Sequence, residues 1–129
     1  MSLRVLIVDD AGFIRHLLAK VITDLGHHVV AEARTGTEAV TMISKMQIDV
    51  VLMDLVLPEK NGVEATMAAR ELKPNLPIVA MSTMDDAYIQ HQAMQAGCYD
   101  YLHKPFSAES VGEVLARIQL HYSEGAKYG

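Results

Sequence analysis

Two hydrophobic periods alternate five times along 129 residues and predict an α/β fold: a five-stranded parallel sheet between two layers of helices, a (βα)5 three-layer sandwich. Short apolar, β-branched runs are each followed by a segment with apolar residues at helical spacing. The connections between them are short. The central runs lack polar alternation, the mark of strands covered on both faces.

Val5 to Val8 reads as the first strand. Phe13, Ile14, Leu17, Leu18, Val21, Ile22 and Leu25 then recur on one helical stripe, which Gly26 stops. His28 to Ala31 is the second strand. Thr35-Gly36-Thr37-Glu38 fits a capping box, followed by apolar Ala39, Val40, Met42, Ile43 and Met46. Asp49 to Asp54 is the third strand. Leu55 to Gly62 is a loop with Pro58 and Asn61-Gly62, and a third helix runs from Val63 to Leu72 before Pro74 and Pro77. Ile78 to Met81 is the fourth strand, followed by a helix from Asp86 to Ala96 that Gly97 ends. Tyr99 to His103 is the fifth strand. Ser107 caps a last helix with Val111, Val114, Leu115 and Ile118 on one face. Right-handed crossovers leave few topologies, and the order 2-1-3-4-5 is the natural one for five such units.

Half of the residues are hydrophobic and 21% are charged, a normal balance for one globular domain. The domain is expected over residues 1–122, with 123–129 as a C-terminal tail and no output domain. A net charge of −5 without a basic run argues against direct nucleic-acid binding. No apolar run reaches membrane-spanning length, so a cytoplasmic protein is expected. Cys98 is the lone cysteine and reads as a small buried residue in a reducing compartment. The eight methionines read as core filler, and the six histidines show no metal-ligand spacing.

In open α/β sheets, ligands bind beyond the carboxyl ends of the strands. Asp9 and Asp10 end strand one, Asp54 ends strand three, Ser82 and Thr83 end strand four, and Lys104 ends strand five. Three carboxylates would therefore share one crevice and repel each other. A magnesium ion resolves that repulsion, because it takes oxygen ligands and leaves positions for a phosphate. An aspartate can itself accept a phosphoryl group. The metal, Lys104 and the Ser82 hydroxyl would then each neutralise one phosphoryl oxygen. Asp10 has a simpler alternative as a helix cap.

Val8-Asp9-Asp10-Ala11, Met53-Asp54-Leu55 with Pro58 and Gly62, Ser82, and Tyr101-Leu102-His103-Lys104-Pro105-Phe106 together resemble a response-regulator receiver domain, over about Arg4 to Leu120. The stretch from Asp9 to Arg15 is most similar to the stand-alone, chemotaxis-type members. The strand order above is the family's flavodoxin-like order and follows from the resemblance rather than from periodicity.

The resemblance implies that Asp54 accepts the phosphoryl group from a phosphohistidine on a sensor histidine kinase, CheA-like in a chemotaxis pathway. It implies that Asp10, Asp54 and the backbone carbonyl of Val56 bind Mg2+ directly, and Asp9 largely through water. Lys104, before a cis Pro105, would pair with the phosphoryl group. Ser82 would move toward it, and Tyr101 would swing inward in response. The face of helix four, strand five and helix five would meet a downstream target, the flagellar motor switch if the pathway is chemotaxis, and a phosphatase could act on the phosphorylated form. Val56 and Thr83 stand where many relatives carry a polar and a small residue respectively, which implies slow self-dephosphorylation. His103 is left out of the site because strand alternation turns it away.

A stand-alone receiver in a phosphorelay remains open, as does a receiver-like binding module that is never phosphorylated. A haloacid-dehalogenase-type phosphatase would need two aspartates two residues apart after strand one, and a cap domain. A flavin-binding relative would need a hydroxyl- and glycine-rich phosphate loop there. This chain has adjacent aspartates instead.

Overall fold

The computed structural model describes residues 1–83 and 87–128. The elements are β1 (Arg4–Val8), α1 (Gly12–Asp24), β2 (His28–Ala33), α2 (Gly36–Lys45), β3 (Val50–Asp54), α3 (Gly62–Leu72), β4 (Ile78–Ser82), α4 (Ala87–Gln95), β5 (Asp100–His103) and α5 (Ala108–Tyr128). All strand pairs are parallel, in the order β2-β1-β3-β4-β5. The expected start of α4 at Asp86 lies outside the described residues. α5 runs on through residues 123–128, which the sequence reading assigns to a tail.

Strand alternation sorts the core into two layers. Leu6, Val8, Val51, Met53, Ile78 and Ala80 face Ala39 and Ile43 of α2, Ala65 and Ala69 of α3, and Ala93 of α4. Val5, Ile7, Val50, Leu52, Val79 and Met81 face Leu18 and Ile22 of α1 and Val111, Val114, Leu115 and Ile118 of α5. β3 and β4 are buried at every position, which is why their sequences show no alternation. Truncating Leu52 to Ala in this double-sided layer costs about 3 kcal/mol.

Local chemistry sets the helix ends. The Thr35 Oγ1 accepts from the Glu38 N–H at 3.0 Å, and the Glu38 carboxylate accepts from the Arg34 N–H at 2.9 Å. Ser107 Oγ accepts from the Ser110 N–H at 3.0 Å. Gly26 (φ +89°) and Gly97 (φ +107°) follow α1 and α4 in the left-handed region that stops a helix.

Asn61 does more than turn the chain: its Oδ1 accepts from the Glu64 N–H at 2.9 Å and caps α3. The α1 stripe is wider than the surface that covers it. Leu18 and Ile22 are buried, whereas Phe13 is 75% exposed. The methionines divide likewise. Met53 and Met81 are core, but Met67 and Met94 are exposed, so core filling describes only part of the set.

The amino ends of the strands are closed by a polar clasp. Asp49 accepts from the backbone N–H, Nε and Nη2 of Arg4 at 2.7, 3.1 and 3.0 Å, and the Tyr122 hydroxyl donates to the Asp49 carbonyl at 2.6 Å. Beside it, buried His27 accepts the Leu3 N–H on Nδ1 at 3.0 Å. His27 thus has a structural role. Among the described residues, no helix is long and apolar enough to cross a membrane.

Candidate functional site

β1 and β3 are adjacent, so their carboxyl ends deliver Asp9 and Asp54 side by side. Carboxylate oxygens of Asp9, Asp10 and Asp54 all lie within 4.8 Å of one another. Asp9 is fully buried, Asp54 nearly so, and Asp10 is exposed. From β5, two strands away, Lys104 reaches back over the sheet. Its Nζ donates to Asp9 Oδ2 at 2.5 Å and to Asp54 Oδ2 at 3.2 Å. The Lys104–Pro105 peptide bond is cis.

The remaining contacts hold the carboxylates from behind. The Ala11 N–H donates to Asp9 Oδ1 at 2.9 Å, and the Val56 N–H to Asp54 Oδ1 at 3.0 Å. The N-cap of α1 is Ala11, with no side-chain cap hydrogen bond, so Asp10 is not spent on capping. Gly62 opens α3 directly against the end of β3. A Cβ there would lie 2.2 Å from the Asp54 carbonyl oxygen, so only glycine lets α3 begin this close.

Burial pushes the Asp54 carboxyl up; the Val56 N–H and Lys104 pull against it, Asp9 adds to it, and the net direction is upward. For Lys104, burial works against the charged form, but Asp9 and Asp54 outweigh it, and its pKa is raised. The ammonium therefore stays charged. Three carboxylates and one ammonium leave a formal charge of −2 around an all-oxygen donor set. That is the chemistry a hard divalent cation satisfies, and the residues fit Mg2+.

Of the residues singled out by the sequence, the structure brings together Asp9, Asp10, Asp54 and Lys104. Buried Ser82 ends β4, one step beyond Met81, the register partner of Asp54. Val56 is 64% exposed at the rim, and Thr83 is exposed. Tyr101 is half-buried on β5, its ring centroid 4.7 Å from that of His103. His103 thus faces Tyr101 and lies 3.4 Å from the Gln90 amide of α4, outside the acidic crevice. Cys98 is buried and its thiol is pushed up by that burial, as a packing residue would be.

Two supports were not read from the sequence. Asn61 carries a local signal, since Asn followed three residues later by Glu is a capping pattern. Arg15, which donates to the Asp9 carbonyl at 2.8 Å, carries none, because nothing in a helical arginine says which way it turns.

A family model for the response regulator receiver domain matches residues 5–116. The chain belongs to the response-regulator receiver family. It is 39% identical over 118 residues to the chemotaxis protein CheY of Thermotoga maritima, covering 92% of this chain and 98% of that protein. The receiver domain of a sensor histidine kinase from Pseudomonas aeruginosa, solved with a magnesium ion coordinated in its active-site cleft, superposes with a TM-score of 0.83 at 28% identity, covering 91% of this chain and 97% of that one. The receiver domain of the response regulator AraT from Geobacillus stearothermophilus gives 0.88 at 29% identity, covering 98% and 99%. The fold, the strand order and the CheY-like character predicted from the sequence therefore hold.

Proposed function

We propose that this receiver is a cytoplasmic, phosphorylation-operated switch of a chemotaxis-type two-component pathway, with Asp54 as phosphoacceptor. The observation that carries the reading is Lys104 Nζ seated between Asp9 and Asp54, beside a cluster of three carboxylates. Asp54 attacks phosphorus through a carboxylate oxygen. The P–N bond to the kinase imidazole breaks, and the imidazole keeps the electron pair and takes up a proton. Lys104 pairs with the transferred group, and the Ser82 hydroxyl donates to it. Asp10, Asp54, the Val56 carbonyl and, largely through water, Asp9 would hold Mg2+, which would supply the remaining neutralising charge.

Phosphorylation then biases Ser82 and Tyr101, and through them the face formed by α4, β5 and α5. A CheA-like histidine kinase supplies the phosphoryl group. The output face meets a downstream target, in chemotaxis the flagellar motor switch, and a phosphatase shortens the signal. The 39% identity to a CheY protein supports that pathway.

Intact-protein mass after incubation with acetyl phosphate tests the reading. One phosphoryl group should be gained with Mg2+, and none with Asp54→Asn. No gain in the native chain moves the function to a receiver-like binding module, and a gain that survives Asp54→Asn names another acceptor. Exposed Val56 and Thr83 flank the approach of water. Val56→Asn with Thr83→Ala should speed loss of the phosphoryl group; an unchanged or slower loss removes their gating role.

A further inference from the structure

We propose that Arg15 is a positioning residue for the cation site, clamping the Asp9–Asp10 turn so that Asp10 points at its neighbours; this rests on the magnesium reading above. Arg15 stands on the first turns of α1 with its side chain 17% exposed. Its Nη1 donates to the Asp9 carbonyl at 2.8 Å, and its Nε donates to Glu32 Oε1, on β2, at 3.1 Å. One guanidinium thus ties the loop after β1 to the strand beside it.

The Asp9 carbonyl belongs to the planar peptide that joins the two aspartates. Fixing that oxygen fixes the plane from which Asp10 departs. Asp9 has other anchors: its N–H donates to the Ala33 carbonyl, and its carboxylate meets the Ala11 N–H and Lys104. Asp54 has the Val56 N–H and Lys104. Among the described residues, the Asp10 carboxylate accepts no hydrogen bond, so its aim is inherited from the backbone that Arg15 holds. The clamp needs two acceptors in two directions at once, which a planar guanidinium serves and an ammonium does not.

The proposal has a sign that separates it from charge alone. A cation near the site repels a second cation, so removing Arg15 by electrostatics alone would tighten Mg2+ binding. Loss of positioning loosens it.

Calorimetric titration of Mg2+ into the native chain, Arg15→Gln and Arg15→Lys, at fixed ionic strength, tests this, with metal-free thermal unfolding to establish that each variant is folded. Both variants should bind about tenfold more weakly, the scale for losing a supporting contact around a metal ligand. If Arg15→Gln does not fold, Arg15→Lys decides alone, because it keeps the charge and loses the fork. Binding as tight as native, or tighter, in a folded variant overturns the clamp while leaving the magnesium reading intact. No Mg2+ binding by the native chain overturns both.

Discussion

The two ends of the sheet each bury an aspartate against a cation, and they resolve the charge in opposite ways. At the amino end, Asp49 meets Arg4 through three hydrogen bonds. Burial would raise its pKa, but the Arg4 contacts outweigh burial and the net direction is downward. At the carboxyl end, Asp54 shares one ammonium with Asp9, and its pKa goes up. The first arrangement is finished within the chain. The second is left short of positive charge, which is how a folded domain keeps a place for a ligand.

Each prediction presses on that contrast. The largest effect should come from Mg2+ itself, which should stabilise the native chain by about 2.7 kcal/mol at a hundredfold excess over its Kd. Asp10→Asn should reduce the gain, and Asp49→Asn should leave it intact. Thermal unfolding with and without Mg2+ reads this, and an equal gain in all three would place the ion elsewhere.

Next comes one substitution made at both ends without metal. Asp49→Asn should lower stability by about 2 kcal/mol, because it breaks charge-assisted bonds at a buried site. Asp54→Asn should raise it, on the order of 1 kcal/mol, by relieving repulsion at a functional site. Urea unfolding gives both signs, and two losses would mean that the carboxyl end is as satisfied as the other.

The smallest effect concerns His27. Burial lowers its pKa below the ordinary 6.5, so the folded state disfavours its protonation. Its contribution is fully present above that value and is lost as pH falls through 6.5 toward the lower folded pKa. Native stability should therefore fall between pH 7.5 and 5.5, and less so in His27→Asn. The same fall in both would assign the effect to other groups.

The carboxyl end was legible in the sequence and the amino end was not, for a physical reason. Asp9 and Asp54 each follow an apolar run, and Asp10 and Lys104 each lie two residues past one, so periodicity places them at strand ends. Arg4 and Asp49 are 45 residues apart, and neither breaks a pattern. The same limit explains Arg15, whose partners Asp9 and Glu32 lie on other elements. It also explains Phe13, which fits the apolar stripe of α1 yet stands exposed. Periodicity reports which positions share a face, not how far the neighbours extend across it.

The close seat of Gly62 against the Asp54 carbonyl has a partner in Gly36, where a Cβ would meet the Lys60 carbonyl oxygen at 1.9 Å. Backbone from two helices therefore brackets residues 55–61 on both sides. For anyone remodelling this receiver, the loop is a frame of fixed length with a replaceable panel. Val56 presents its side chain outward and can be randomised, whereas exposed Glu59 stands at φ +66°, a left-handed conformation that disfavours β-branched replacements. An insertion, or any residue other than glycine at 36 or 62, would move Asp54 itself.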